Sequence, residues 1–128
     1  MLTEKDFCDY ETCVALKEMG YKGISRFFYA TKESPLRRYS YDQILTTRIA
    51  NAVGHTLAIS LYVAQKWLRE EKGIHISIDY DEFEWSYCLF DCSKKHYKQL
   101  SNCRMYFKSY EEALLNGIKV SVDFLKEK

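Results

Sequence analysis

Along the second half of the chain the apolar positions change their period repeatedly, and each change marks an element. Leu61, Ala64 and Leu68 recur at helical spacing, with Val63 and Trp67 widening the stripe. Ser60 is placed to cap this helix, since a serine hydroxyl accepts a free backbone N–H of the first turn. Gly73 supplies a left-handed stop. The period then falls to two: Ile74, Ile76, Ile78 and Tyr80 alternate with His75, Ser77 and Asp79, which predicts a half-buried strand. Asp81-Glu82 turns the chain, and Phe83, Trp85, Tyr87 and Leu89 alternate through a return strand ending at Phe90. Asp-Glu suits a two-residue primed turn poorly, so a slightly longer loop is expected. A polar loop and a short strand follow. Ser109-Tyr110-Glu111-Glu112 then reads as a capping box opening the last helix. Its stripe runs through Tyr110, Ala113, Leu114, Ile118, Val122 and Leu125, with Lys126 and Lys128 at the negative end of its dipole. Gly117 lies inside that stripe, at about 1 kcal/mol relative to alanine, and is read as a close approach to the sheet.

The first half is less regular. Thr3 or Asp9 caps a first helix that ends near Met19 and stops at Gly20, with Tyr10, Cys13, Val14 and Leu16 as its apolar face. Ile24–Thr31, containing Phe27, Phe28 and Tyr29, predicts a strand. The turn at Pro35 leads to a return strand over Arg37–Tyr41. Asp42–Val53 carries Ile44, Leu45, Arg48, Ile49 and Ala52 at helical spacing and ends at Gly54. Together these elements predict one α+β domain spanning residues 1–128. A small antiparallel sheet, built on the hairpin, packs against two main helices, with an additional N-terminal helix and aromatic hairpin. The expected core is Trp67, Leu68, Ile76, Ile78, Leu114, Ile118 and Val122.

Composition narrows the function classes. The chain has 128 residues and a formal charge of +1, so it has no global attraction to nucleic acid or to a membrane surface. No apolar run approaches the roughly 20 residues that span a bilayer. With eleven tyrosines in a chain that is 16% aromatic, some rings are expected at the surface. The odd count of five cysteines and the polar Met1–Asp6 segment predict a reduced, cytoplasmic protein without a structural disulfide.

Three segments carry a resemblance: Glu11-Thr12-Cys13-Val14-Ala15-Leu16-Lys17-Glu18-Met19-Gly20-Tyr21, Ala64-Gln65-Lys66-Trp67-Leu68-Arg69-Glu70, and Tyr110-Glu111-Glu112-Ala113-Leu114. With the Gly73-Ile74-His75-Ile76 strand entry they resemble short uncharacterised proteins of gut bacteria, their phages and mobile elements. The resemblance implies the same order of elements and a small accessory role. It implies no activity, cofactor or catalytic residue.

Candidate chemistry is sparse. Cys88, Cys92, His96 and Cys103 form a Cys-x3-Cys-x3-His-x6-Cys series. A zinc knuckle wants two residues between its first cysteines, so small core residues and a loop thiol are the preferred reading and no metal is expected. Asp91, Cys92 and His96 hold the groups of a thiol nucleophile site, but contiguity in a polar loop does not make a triad. His55 and His75 are read as structural. Asp79, Asp81, Glu82 and Glu84 crowd the hairpin turn without the glycine of a calcium loop, and are read as a solvated turn.

Cations set among rings are the remaining signal. Arg26, Arg37 and Arg38 flank Phe27, Phe28 and Tyr29, and Lys94, Lys95, His96 and Arg104 precede Tyr106. Such segments suit phosphate contact and base stacking. Two functions are therefore carried forward. The first is a non-enzymatic accessory protein that binds an unknown protein partner or itself as a homodimer. The alternative is nucleic-acid or nucleotide binding through segments 26–39 and 94–108. No cofactor and no membrane contact are expected.

Overall fold

The computed structural model describes residues 2–39, 45–93, 98–102 and 105–127. The fold is α+β, as the periodicities predict, and the chain divides into two compact units, Met1–Ser60 and Leu61–Lys128.

The first unit opens with a 3-10 turn at Glu4–Asp6, where the Asp6 carboxylate accepts the Thr3 N–H at 2.8 Å. Asp9 then caps α1 (Tyr10–Glu18), its carboxylate accepting the Thr12 N–H at 2.9 Å. Thr3 and Asp9 are thus both used, for different turns. Gly20 ends α1 at φ +106°. The strands β1 (Ile24–Ser25), β2 (Phe27–Tyr29), β3 (Arg37–Arg38), β4 (Leu45–Thr46) and β5 (Thr56–Leu57) follow, with α2 (Thr47–Ala52) between the last two. β2 is central, antiparallel to β3 on one side and to β5 on the other, and β1 pairs separately with β4. Asp42, Gln43 and Ile44 of the expected helix lie outside the described residues; within those described the helix begins at Thr47, because Thr46 takes the cap position and its hydroxyl accepts the Ile49 N–H at 3.2 Å.

The core of this unit is stitched by polar bonds as well as apolar contact. Cys8, Cys13 and Leu16 are fully buried. The Cys8 N–H donates to the Ile59 carbonyl at 2.8 Å, and the Tyr29 hydroxyl to the Cys8 carbonyl at 2.7 Å. The Ile59 N–H reaches the Cys13 sulfur at 3.4 Å. The Cys8 thiol is pushed up by its hydrogen bond with Cys13 and by burial, so it stays protonated and inert as a nucleophile.

The second unit runs α3 (Leu61–Lys72), β6 (Ile74–Asp81), β7 (Glu84–Asp91), β8 (Lys98–Asn102) and α4 (Tyr110–Lys126). The sheet is antiparallel in the order β6-β7-β8, with a register shift between Leu89 and Phe90. α3 and α4 pack on it, burying Leu68, Ile76, Leu89, Leu114 and Ile118. Of the expected core, Leu68, Ile76, Leu114, Ile118 and Val122 are buried, while Trp67 and Ile78 are half-buried. Val63 is exposed, on the outer side of α3.

Two local details differ from expectation. The hairpin closes through a two-residue turn, because Asp81 pairs with Glu84 and leaves Glu82 and Phe83 at φ +46° and +71°. Tight pairing to the strand ends forces both into the left-handed region, which the flanking sequence does not advertise. In the cap of α4, the Ser109 hydroxyl accepts the Glu112 N–H at 3.1 Å, but the Glu112 carboxylate accepts the N–H of Lys108 rather than that of Ser109.

Gly117 is the closest approach of α4 to the sheet: a Cβ there would stand 2.8 Å from Ile76 Cγ2 and 3.3 Å from Tyr87 Cγ. The Ile76 methyl sits on a branched carbon and cannot swing clear. Gly117→Val should therefore lose stability by about 1–3 kcal/mol in urea unfolding, although valine is the better helix former. Glu82→Asn with Phe83→Gly should raise stability by about 1–2 kcal/mol in the same assay, since these residues adopt φ > 0 at lower cost.

Candidate functional site

The rings singled out in the first half are structural. Phe28 is 8% exposed, stacked on the His55 imidazole at 4.5 Å and beside Tyr39 at 4.3 Å. The Tyr39 hydroxyl and His55 Nδ1 are 2.8 Å apart. Phe27 packs on Phe7 at 4.8 Å, and Tyr29 is buried, its hydroxyl bound to a carbonyl and its ionisation pushed up by burial. Arg26, Arg37 and Arg38 are exposed. The fold thus turns the rings inward and the guanidinium groups outward, which separates the two halves of a stacking surface. Lys94, Lys95, His96 and Arg104, with Cys103, lie outside the described residues, so the basic loop and the Cys-His series are named only as sequence. Among the described residues no three metal-ligating side chains converge.

Two other places in the second unit carry chemistry. The first lies at the root of the hairpin. Gly73, at φ +69°, brings the end of α3 against Ser93, where a Cβ would stand 2.5 Å from the Ser93 Cβ. The Cys92 N–H donates to the Gly73 carbonyl at 2.7 Å, and its thiol lies 3.8 Å from the Arg69 carbonyl. His75 and Phe90 face each other across β6 and β7. Arg69, His75, Phe90 and Cys92 line a cavity of about 360 Å³. His75 Nδ1 is buried without a hydrogen-bond partner. Burial, and then the Arg69 charge, lower the His75 pKa, so its ring is neutral at pH 7.

The second is the far end of the same hairpin. Tyr80 stacks on Trp85 at 4.7 Å, and Trp85 meets the edge of Tyr110 at 5.5 Å. Phe107 pairs with Trp85 through backbone bonds of 2.9 and 2.7 Å. Tyr80 is itself more than half exposed, and Phe83 in the turn is 87% exposed. Asp79, Asp81, Glu82 and Glu84 are exposed around them.

No family model, curated protein or solved structure matches the chain. Among the described residues, no helix is long and apolar enough to cross a membrane.

Sequence reasoning passed over Arg69, His75 and Phe90 as site residues. Their only signal was indirect: Arg69 and His75 flank a helix stop, and Phe90 falls on the polar side of its strand's alternation. Because the folded-state pKa of His75 lies below its ordinary 6.5, the unfolded chain takes up the proton more readily. Its contribution to stability is therefore complete above about pH 6.5 and lost as pH falls toward the folded value. An NMR titration should place the His75 midpoint below 6.5, and urea midpoints should fall over the same interval, with less of that fall in His75→Gln.

Proposed function

We propose that the chain is a small non-enzymatic accessory protein, of the phage or mobile-element kind its motifs resemble, that works by binding a protein partner through the tip of the β6–β7 hairpin. Phe83 carries this reading. It is a bulky ring, 87% exposed, at a position whose positive φ disfavours it. A turn selected for stability alone takes asparagine and glycine there, and a strained, exposed aromatic is the kind of outlier that marks a contact site. Tyr80, exposed and stacked on Trp85 beside the turn, extends the patch with a residue type enriched at interfaces. The surrounding carboxylates decide the kind of partner. Two copies meeting tip to tip would set like charges against each other, whereas a foreign surface with Lys or Arg around an apolar centre is complementary.

The second reading, nucleic-acid or nucleotide binding, rests on the exposed Arg26, Arg37 and Arg38 of the first unit. With Phe28 and Tyr29 turned inward, it relies on phosphate contact more than on stacking.

Sedimentation equilibrium at micromolar concentration should return the 15.2 kDa chain mass; twice that mass would replace the foreign partner by a homodimer. A photo-crosslinker at position 83, in extract of the source organism, should trap a discrete protein that a crosslinker at the exposed Lys66 does not trap. Tyr80→Ser should sharply reduce that product. Equal trapping at both positions rejects the tip. Salt-sensitive binding of a labelled single-stranded oligonucleotide, lost in Arg37→Ala/Arg38→Ala, would favour the second reading.

A further inference from the structure

The end of the hairpin alternates anions and rings: Asp79-Tyr80-Asp81-Glu82-Phe83-Glu84-Trp85. Strand pairing sorts them onto two faces. Asp81 stands opposite Glu84 and Asp79 opposite Ser86, so three carboxylates share one face of the ribbon. Tyr80 stands opposite Trp85 and stacks on it at 4.7 Å, so these rings share the other face. That face is the one toward α4, where Trp85 meets Tyr110. Phe83 stands in the turn that joins the strands, 87% exposed. Asp79, Asp81, Glu82 and Glu84 are exposed, and none has an ion-pair or hydrogen-bond partner among the described residues. Like charges directly opposite across two strands are destabilising, and no described cation pairs with Asp81 or Glu84 to offset that cost. No three of these carboxylates converge to hold a metal ion, so the face suits several separated cations.

An ordinary docking patch has an apolar centre and a polar rim. Here the charged and the aromatic groups lie on opposite sides of one two-stranded ribbon. A partner that meets both must clasp the ribbon, with cations on one wall and an apolar or aromatic platform on the other. A cationic track beside stacking rings is how proteins hold single-stranded nucleic acid without regard to sequence. Asp79 and Asp81, two residues apart on one strand, are separated by roughly 6.5 Å, close to successive phosphates of an extended strand. We propose that the partner bound by the tip is a single-strand nucleic-acid-binding protein, and that the hairpin enters its groove in place of the strand. Asp79, Asp81 and Glu84 meet the phosphate-binding cations, and Phe83 and Tyr80 meet the base-stacking platform. This partner class rests on the protein-binding reading of the tip and narrows it. Nucleic acid and this chain then exclude each other from the groove.

Displacement of the photo-crosslinked product by nucleic acid tests this. A benzophenone side chain at position 83 keeps a ring in the turn. In extract of the source organism, its discrete product should disappear when oligothymidylate of about 20 nucleotides is added at micromolar concentration. An abasic strand of the same length carries the same charge without bases, and at least about tenfold more of it should be needed. Displacement should persist in a chain carrying Arg37→Ala/Arg38→Ala, because the oligonucleotide acts on the partner. Asp81→Asn with Glu84→Gln should cut the product at least about fivefold, while the urea midpoint holds or rises as the opposed charges are removed. A product that oligothymidylate leaves in place would overturn the inference and leave protein binding at the tip standing. Equal potency of the two strands would reduce the partner to any basic surface, and overturns it too. So does full trapping by the charge-neutralised chain, or displacement that is lost with Arg37 and Arg38. No discrete product at position 83 rejects the tip reading and this inference with it.

Discussion

Everything in the second unit is measured from the point where α4 touches the sheet. The backbone of Gly117 lies so close to Ile76 and Tyr87 that no side chain fits between them. That approach sets how deeply Leu114, Ile118 and Val122 reach into the space above β6 and β7, and all three are buried. A helix held farther off would leave voids beneath them, each lost methylene costing about 1 kcal/mol. The contact is fixed along the helix as well, since the Ser121 hydroxyl donates to the Gly117 carbonyl at 2.8 Å inside the same interface. Ser121 therefore satisfies its own buried hydroxyl without needing a group on the sheet.

The first unit follows another plan. Its strands are two or three residues long, too short for the ladder alone to hold them. Specific bonds compensate: Asp9 on the α1 terminus, Tyr29 on the Cys8 carbonyl, the Cys8 N–H on Ile59, and the Tyr39–His55 pair over Phe28. Its aromatic residues serve as joints between short elements, each ring with an apolar body and several with a polar tip that finds a hydrogen-bond partner. This is why a segment that reads as display in sequence is internal in the fold. Phe27, Phe28 and Tyr29 are consecutive, so alternation cannot tell which faces are covered, and the answer depends on β3 and β5, which arrive from both sides.

Legibility followed the range of the interactions. α3, the hairpin strands and α4 were readable because their determinants are local: a period, a glycine stop, a serine cap. Gly117 was readable too, because a glycine inside an apolar stripe marks a place where a neighbouring element leaves no room for a side chain. The turn was not, since Glu82-Phe83 carries no turn chemistry and its left-handed backbone is imposed by the pairing of Asp81 with Glu84. The root cavity was illegible for a different reason. Arg69, His75, Phe90 and Cys92 come from a helix, two strands and a loop, and only the register of β6 on β7 places them side by side.

The edges of the second sheet have a bearing on how the chain behaves when crowded with its own kind. On the β6 side, the Gln65 side chain donates to the Ile76 carbonyl at 2.9 Å, so α3 occupies part of that border. On the β8 side, Leu89 pairs with Ser101 but Phe90 pairs with Gln99, which skips Leu100 and breaks the ladder. A bulge adds twist and interrupts the even row of donors and acceptors that an incoming strand needs. Neither border offers the flat, unbroken template on which strand-by-strand fibril growth depends, so a hairpin rich in aromatic and β-branched residues is kept from seeding it.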